Sequence, residues 1–351
     1  MLRDLFEQLD EPSGLPMVKG ERCVHALVEN ASCSACADVC PKDAWIVDDE
    51  SVALDPSLCD GCGLCVPVCT EGAIKHDYKL QFFTHEDQST AFVVCEYADT
   101  GFDLGRVPCI HSFGLSELLG IYRQGVHKLI VSTGDCEQCT RGCVERLPDR
   151  ISALNKMLLQ RGKPKFTLNY VSPFECTDLI KQLLPLESKK ISRRNFFRTG
   201  SSKLLQFKDE VYDLAKADHL SPGNLLRREH DNDMSVFSTR LDEKQCVGCD
   251  VCFSVCPHNA LQIVDENNEM YYQLDDDNCT GCQLCTDICE HDAIHIEQWC
   301  SRNQDRVLLS TMRCKACGVS FHVPNRNTSI SGLCHICDKH NHTKNLYQVM
   351  E

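Results

Sequence analysis

Between residues 246 and 257 the chain reads Cys246-Val-Gly-Cys249-Asp-Val-Cys252-Phe-Ser-Val-Cys256-Pro257, four thiols spaced C-x2-C-x2-C-x3-C and followed by proline. Thiols grouped this closely in a long chain are a metal-site pattern, and the chain repeats it. Cys279, Cys282, Cys285 and Cys289 repeat the spacing, and an earlier pair of runs lies between Cys23 and Cys69. The chain holds 27 cysteines in 351 residues. A disulfide scaffold of that density belongs to short secreted chains, whereas C-x2-C groups in a longer chain point to metal sites.

The repeats extend past the thiols. After each fourth cysteine come Pro-Lys-Asp-Ala44, Thr-Glu-Gly-Ala73, Pro-His-Asn-Ala260 and Glu-His-Asp-Ala293, each alanine followed by an apolar residue that opens a short strand. On these residues the stretches from about 21 to 80 and 241 to 300 resemble bacterial two-cluster ferredoxins. The resemblance implies two βαββαβ-type modules, each holding two [4Fe-4S] clusters by crossed ligation. Carried over by position, cluster one takes Cys23, Cys33, Cys36 and Cys69, and cluster two takes Cys59, Cys62, Cys65 and Cys40. Cluster three takes Cys246, Cys249, Cys252 and Cys289, and cluster four takes Cys279, Cys282, Cys285 and Cys256. One departure stands out: Asn30 occupies the position three before Cys33, so Cys23 is the upstream candidate, leaving a full cluster, a three-iron centre or no cluster open. Gly61, Gly248 and Gly281, each just before a second cysteine, relieve crowding where backbone wraps the cluster. Proline follows Cys40 and Cys256, but Thr70 and Glu290 stand at the other two places. The bland alternative for these sixteen thiols is zinc or structural cysteine.

Between the modules, from about 88 to 187, apolar strands at 91–95, 128–132 and 166–171 alternate with helices at 115–124, up to about 160, and 177–184. The alternation predicts a small three-layer α/β domain with a parallel sheet and cysteines at strand ends. Val94-Cys95, Val107-Pro-Cys109, Gln124-Gly125-Val126 and Leu129-Ile-Val-Ser-Thr-Gly-Asp-Cys136 resemble the iron-sulfur delta subunit of methyl-viologen-reducing hydrogenase, with its double-cysteine pattern reduced to Cys95. The resemblance implies a further cluster, a [2Fe-2S] centre, on Cys95, Cys109, Cys136 and Cys139. Cys143 can replace one of them, and a redox-active dithiol or a cofactor-free domain are the alternatives. Cys176 and Cys300 read as structural thiols.

Residues 1–20 form an N-terminal tail. Residues 188–240 read as a basic linker: seven bases and no acid lie from Lys189 to Lys208, and Ser192-Arg-Arg-Asn-Phe-Phe197 has the look of an export signal without the apolar stretch one needs. Such a linker is either solvated or a docking site for an acidic partner or for the chain's own acidic module. From 308 to 351, Cys314-Lys-Ala-Cys317 and Cys334-His-Ile-Cys337 form two knuckles of a C-terminal zinc ribbon, with rubredoxin-type iron the alternative. His335, His340 and His342 lie near, yet four thiols already complete a tetrahedron.

The expected class is therefore α+β multidomain: two ferredoxin-like modules flanking a small three-layer α/β domain, with a zinc ribbon. The net charge is -15, and residues 242–300 carry thirteen acids against the single base Lys244. Nucleic acid is a poor partner for that surface, and a basic docking face on a redox protein suits it. No apolar run reaches the roughly 18 residues of a membrane span, and no signal-peptide core is present, so a soluble cytoplasmic protein is expected. The expected function is a non-catalytic electron-transfer subunit, polyferredoxin-like, that serves a hydrogenase, formate dehydrogenase or heterodisulfide-reductase-like enzyme. No dinucleotide fingerprint or phosphate loop marks a substrate site. The alternatives are an accessory or maturation protein for a molybdenum or tungsten oxidoreductase, and an enzyme working through the middle-domain cysteines.

Overall fold

The computed structural model describes residues 14–48, 51–76, 79–85, 88–142, 147–183, 207–213, 220–230, 233–267, 269–301, 305–327 and 331–339. Cys143, the segment Ser192–Phe197, His340 and His342 lie outside them. Two compact units emerge, Met1–Cys23 with Ser34–Leu220, and Val24–Cys33 with Ser221–Glu351.

In the first unit, β1 (Met17–Val18), α1 (Ala35–Asp38), β2 (Trp45–Val47), β3 (Val52–Leu54) and β4 (Ile74–Lys75) build the first module. β1 pairs antiparallel with β4, Val18 opposite Ile74, and β2 pairs antiparallel with β3, Trp45 opposite Leu54. Strands this short bury few side chains, and the small core mixes thiols with hydrocarbon: Trp45, Cys65, Val66 and Ile74 are buried, with Cys36, Cys40 and Cys69 packed against them beside Val18, Val39, Val52 and Leu54. A module with so little hydrocarbon has little folding energy of its own and depends on whatever its thiols hold.

The same unit continues into a larger sheet. β5 (Lys79–His85) and β6 (Gln88–Cys95) form an antiparallel hairpin; β7 (Arg106–Val107) and β8 (Lys128–Ser132) lie parallel to β6, and β9 (Thr167–Tyr170) lies parallel to β8. Helices α2 (Leu115–Arg123) and α3 (Leu147–Gln160) connect the parallel strands, and α4 (Pro173–Leu183) follows β9. β6 is buried from Thr90 to Cys95, as a strand covered on both faces must be, and α3 turns Ile151, Leu154 and Leu158 inward at helical spacing. Glu117 caps α2 by accepting from the Gly114 N–H at 2.9 Å. The sheet is thus mixed, not parallel as the strand-helix alternation predicts, because β5 folds back on β6 before the first crossover. Its outer edge is β10 (Phe207–Asp213), antiparallel to β5, a strand drawn from the stretch expected to be linker.

In the second unit, α5 (Pro222–Leu225), β11 (Met234–Leu241), α6 (Val251–Val255), β12 (Leu261–Glu266), β13 (Glu269–Leu274), α7 (Leu284–Asp287) and β14 (Ile294–Ser301) follow in order. β11 pairs with β14 and β12 with β13, both antiparallel, the same arrangement as in the first module with longer strands. β15 (Arg306–Arg313) extends β13, β16 (Ser320–Pro324) pairs with β15, and α8 (His335–Lys339) closes the described chain. Arg228, also in the expected linker, is buried against the module, with Nε donating to Asp277 Oδ1 at 2.9 Å and Nη1 3.6 Å from Asp276 Oδ2. Among the described residues no helix is long and apolar enough to cross a membrane.

Candidate functional site

In the second unit, Cys256, Cys279, Cys282 and Cys285 line one pocket together with Thr239, Leu261 and Ile296. Cys256 ends the helix α6 of one half of the module, while the other three precede and occupy α7 of the other half. Burial drives the thiols up, Cys279 and Cys285 to about 12, and Cys256 and Cys282 lie close enough to Cys285 to add to its rise. Cys246 is driven to about 11 by burial, with Cys249 and Cys289 adding to the rise, and Cys252 rises further among Cys246, Cys249 and Cys289. Thiols held so far above neutrality stay protonated unless a cation takes the charge, which is what bound iron supplies.

The backbone is shaped for the sulfurs. Ala293 N–H donates to Cys289 Sγ at 3.3 Å, Ala44 N–H to Cys40 Sγ at 3.4 Å and Gly61 N–H to Cys59 Sγ at 3.4 Å. Gly248 and Gly281 adopt φ of 70° and 81°, and a Cβ on either would collide, at Gly248 with the His322 carbonyl and at Gly281 with the Phe237 ring. The thiol donor set, the amides aimed at sulfur and the side-chain-free approach fit an iron-sulfur cluster. The His322 carbonyl belongs to β16, and that hairpin sits on the Cys246–Asp250 loop. Asn327 Nδ2 donates to the Cys246 carbonyl at 2.8 Å, and Asp250 Oδ1 accepts from Tyr272 at 2.5 Å and lies 2.9 Å from His322 Nε2.

In the first unit, burial pushes Cys62 to about 12 and Cys65 higher, with Cys62, Cys59 and Cys36 among the neighbours of Cys65. Cys40 adds to the rise at Cys59, and Cys23 to that at Cys69, in each case behind burial. Cys33 belongs to the 24–33 stretch of the second unit, where it is exposed and its carbonyl accepts from His25 Nε2 at 2.8 Å.

The middle-domain thiols sit at the carboxyl ends of three parallel strands: Cys95 ends β6, Cys109 follows β7, and Cys136 and Cys139 follow β8. Burial raises Cys136, and Cys95, Cys109 and Cys139 all act on it. Burial likewise raises Cys95, with Cys109 and Cys139 adding to it. The four expected thiols are thus one neighbourhood whose donor set fits a cluster. Cys109 also packs with Cys62 and Leu64 of the first module. Arg141, which sequence reasoning passed over, lies at this junction: its Nε donates to Asp60 Oδ2 at 2.9 Å and its Nη2 to Glu96 Oε2 at 3.1 Å. Burial pushes the Asp60 carboxyl up, but the hydrogen bond and charge of Arg141 outweigh it and hold the group below its ordinary value. Cys176 is fully buried and driven to about 11 by that burial, as a structural thiol is.

Near the end of the described chain, the Sγ atoms of Cys314, Cys317, Cys334 and Cys337 all lie within 4.8 Å of one another, a spacing a single tetrahedral ion spans. Amides of Cys317 and Cys334 hold the Cys314 thiol down, to about 6. Only Cys317 of the four is exposed.

A 4Fe-4S dicluster domain model matches residues 239–296, covering all eight thiols of the second module. A 4Fe-4S binding domain model matches residues 52–75, covering Cys59, Cys62, Cys65 and Cys69. An uncharacterized ferredoxin of Methanocaldococcus jannaschii is 35% identical over 52 residues, 14% of this chain and 84% of that protein. A ferredoxin of Rickettsia felis is 42% identical over 40 residues, 11% of this chain and 37% of that protein. A protein named ferredoxin 7Fe from Hydrogenibacillus schlegelii is 36% identical over 44 residues, 12% of this chain and 56% of that protein.

Proposed function

The chain belongs to the ferredoxin family, an iron-sulfur electron carrier through its 4Fe-4S domains, and from that premise we propose that it relays single electrons to or from a larger oxidoreductase. The observation that carries the relay is the pocket where Cys256 meets Cys279, Cys282 and Cys285, because a thiol from one half of the module at the site of the other keeps two centres close. A cube held on each such thiol set supplies a one-electron couple. Within the first unit the proposed groups are Cys23, Cys36 and Cys69, and Cys59, Cys62, Cys65 and Cys40; within the second they are Cys246, Cys249, Cys252 and Cys289, and Cys279, Cys282, Cys285 and Cys256. The neighbour relations of Cys59 with Cys40, Cys69 with Cys23, and Cys246 with Cys289 support this crossing.

Cys95, Cys109, Cys136 and Cys139 hold a fifth centre, of the [2Fe-2S] type, and the four terminal thiols hold structural zinc. The chain's own groups do three things for these centres: amides of Ala44, Gly61 and Ala293 donate to sulfur, burial excludes water, and the acidic surface of the second module favours a basic docking face on the partner. The partner is of the hydrogenase, formate dehydrogenase or heterodisulfide-reductase-like kind.

Anaerobic purification tests the assignment. About sixteen irons from four cubes, further iron from the middle centre and about one zinc are expected. Zinc in place of the iron overturns it. Reduction of the clusters by a co-purifying enzyme in the presence of that enzyme's substrate identifies the partner, and failure of any such enzyme to reduce them removes the relay.

A further inference from the structure

Arg141 stands two residues after Cys139, with its side chain only 5% exposed, and all three guanidinium nitrogens donate hydrogen bonds. Besides Asp60 Oδ2 and Glu96 Oε2, it donates from Nη1 to the Pro108 carbonyl at 2.6 Å and from Nη2 to the Asp60 carbonyl at 3.4 Å. It also stacks 4.8 Å above the centre of the Tyr97 ring. These partners are the immediate chain neighbours of thiols: Asp60 follows Cys59, Glu96 follows Cys95, and Pro108 precedes Cys109. Asp60 Oδ1 also accepts from the Cys62 N–H at 3.2 Å. One buried cation therefore touches the ligand loop of the first module and two loops of the middle-domain thiol group at once, where Cys62 and Cys109 already pack together.

The electrostatic consequence follows from the placement of Asp60. A carboxylate fixed between Cys59 and Cys62 opposes the arrival of an electron at those thiols by its charge. A guanidinium bonded to that carboxylate cancels it. Arginine is suited to the task because its fork serves two carboxylates and a carbonyl together, and it keeps its charge when buried.

We propose that Arg141 is a positioning residue that locks the two thiol groups together and, by neutralising Asp60, raises the reduction potential of the centre held by Cys40, Cys59, Cys62 and Cys65. The inference rests on those four thiols holding a 4Fe-4S cluster; it does not require a centre in the middle domain.

The test uses the full chain, purified anaerobically, as wild type, Arg141→Gln, Arg141→Lys, Asp60→Asn and the double variant Asp60→Asn/Arg141→Gln. Iron content is measured, and reduced-cluster signals are followed by electron paramagnetic resonance through a redox titration. In Arg141→Gln the reduced-to-oxidised ratio of one 4Fe-4S signal should fall about tenfold at a fixed potential, ~59 mV for a one-electron couple. Arg141→Lys should stay near wild type, Asp60→Asn should shift that signal the opposite way, and the double variant should return towards wild type. An unchanged titration in Arg141→Gln with iron retained overturns the proposal, as does an equal fall in Arg141→Lys. Should Arg141→Gln lose the iron of that centre, Asp60→Asn decides: a rise supports the proposal, and no shift or a loss of iron overturns it. Wild-type protein without reducible iron would instead remove the electron-carrier reading itself, so the two failures are distinguishable.

Discussion

Ala293 donates its amide hydrogen to Cys289 Sγ, and the residue that aims it, Asp292, holds the left-handed conformation with φ of 48°. The left-handed residue recurs at every repeat: Asp43 before Ala44, Gly72 before Ala73 and Asn259 before Ala260 have φ of 48°, 58° and 53°. Asp, Asn and Gly are the residues that tolerate this region, and each turns the chain so that a buried alanine follows the fourth thiol. Asp292→Gly should therefore retain the centre, whereas Asp292→Val, for which the conformation costs at least about 1–2 kcal/mol, should loosen the amide from sulfur. A lower potential and faster iron loss in the valine variant alone, read by redox titration and iron assay, is the expected result.

Gly248 makes a sharper case. Its φ of 70° and the His322 carbonyl pressed against it leave no place for a methyl group, while Gly318, with φ of 74°, has open space on that side. Gly318→Ala should cost about 1 kcal/mol of backbone strain and leave metal content unchanged. Gly248→Ala has to move the β15–β16 hairpin or the Cys246–Asp250 loop, and it should lower the iron content of the second module. Iron and zinc assays on the two variants compare them directly.

Much of this was legible because thiol spacing is a local code. The two ferredoxin modules, the knuckles and the strands at 91–95 and 128–132 all announce themselves within a dozen residues, and the structure has strands Gln88–Cys95 and Lys128–Ser132 there. What the sequence hid is carried by contacts between distant positions. Arg141 and Asp60 are 81 residues apart, and Arg228 and Asp277 are 49 apart, so neither pair leaves a local pattern. The hairpin that makes the middle sheet mixed was obscured because β5 lies directly after the first module, where a boundary was expected. β10 was obscured for a different reason: it follows a strongly basic run that reads as solvated chain.

The raised thiols predict a pH response in iron-free protein. Burial holds Cys246 near 11 and Cys62, Cys279 and Cys285 near 12, against an ordinary value of 9.0. A thiol buried neutral stabilises the fold fully below its unfolded value, and that contribution is lost as pH rises through the folded value. Thermal melts of the iron-free chain should therefore fall from about pH 9 upward. The iron-loaded chain should not show this fall, since its sulfurs are already thiolates. A flat profile for the iron-free protein would remove the claim that these thiols are buried and neutral.

The terminal knuckles and the second module should prove separable in metal content but coupled in durability. Cys334 N–H donates to Cys314 Sγ at 3.3 Å within the knuckles, whereas Asn327 reaches out of the hairpin to the Cys246 carbonyl at 2.8 Å. Cys334→Ser should release the proposed zinc and leave the iron count intact at purification. Asn327→Ala should keep the zinc but strand a buried carbonyl, at a cost of about 1–3 kcal/mol. Both variants should then lose second-module iron faster than wild type when challenged with a chelator, the first by freeing the hairpin and the second by unseating it. Equal rates for wild type and Asn327→Ala would mean that the hairpin protects nothing beneath it, and zinc lost along with iron in Asn327→Ala would mean that the two centres fold as one.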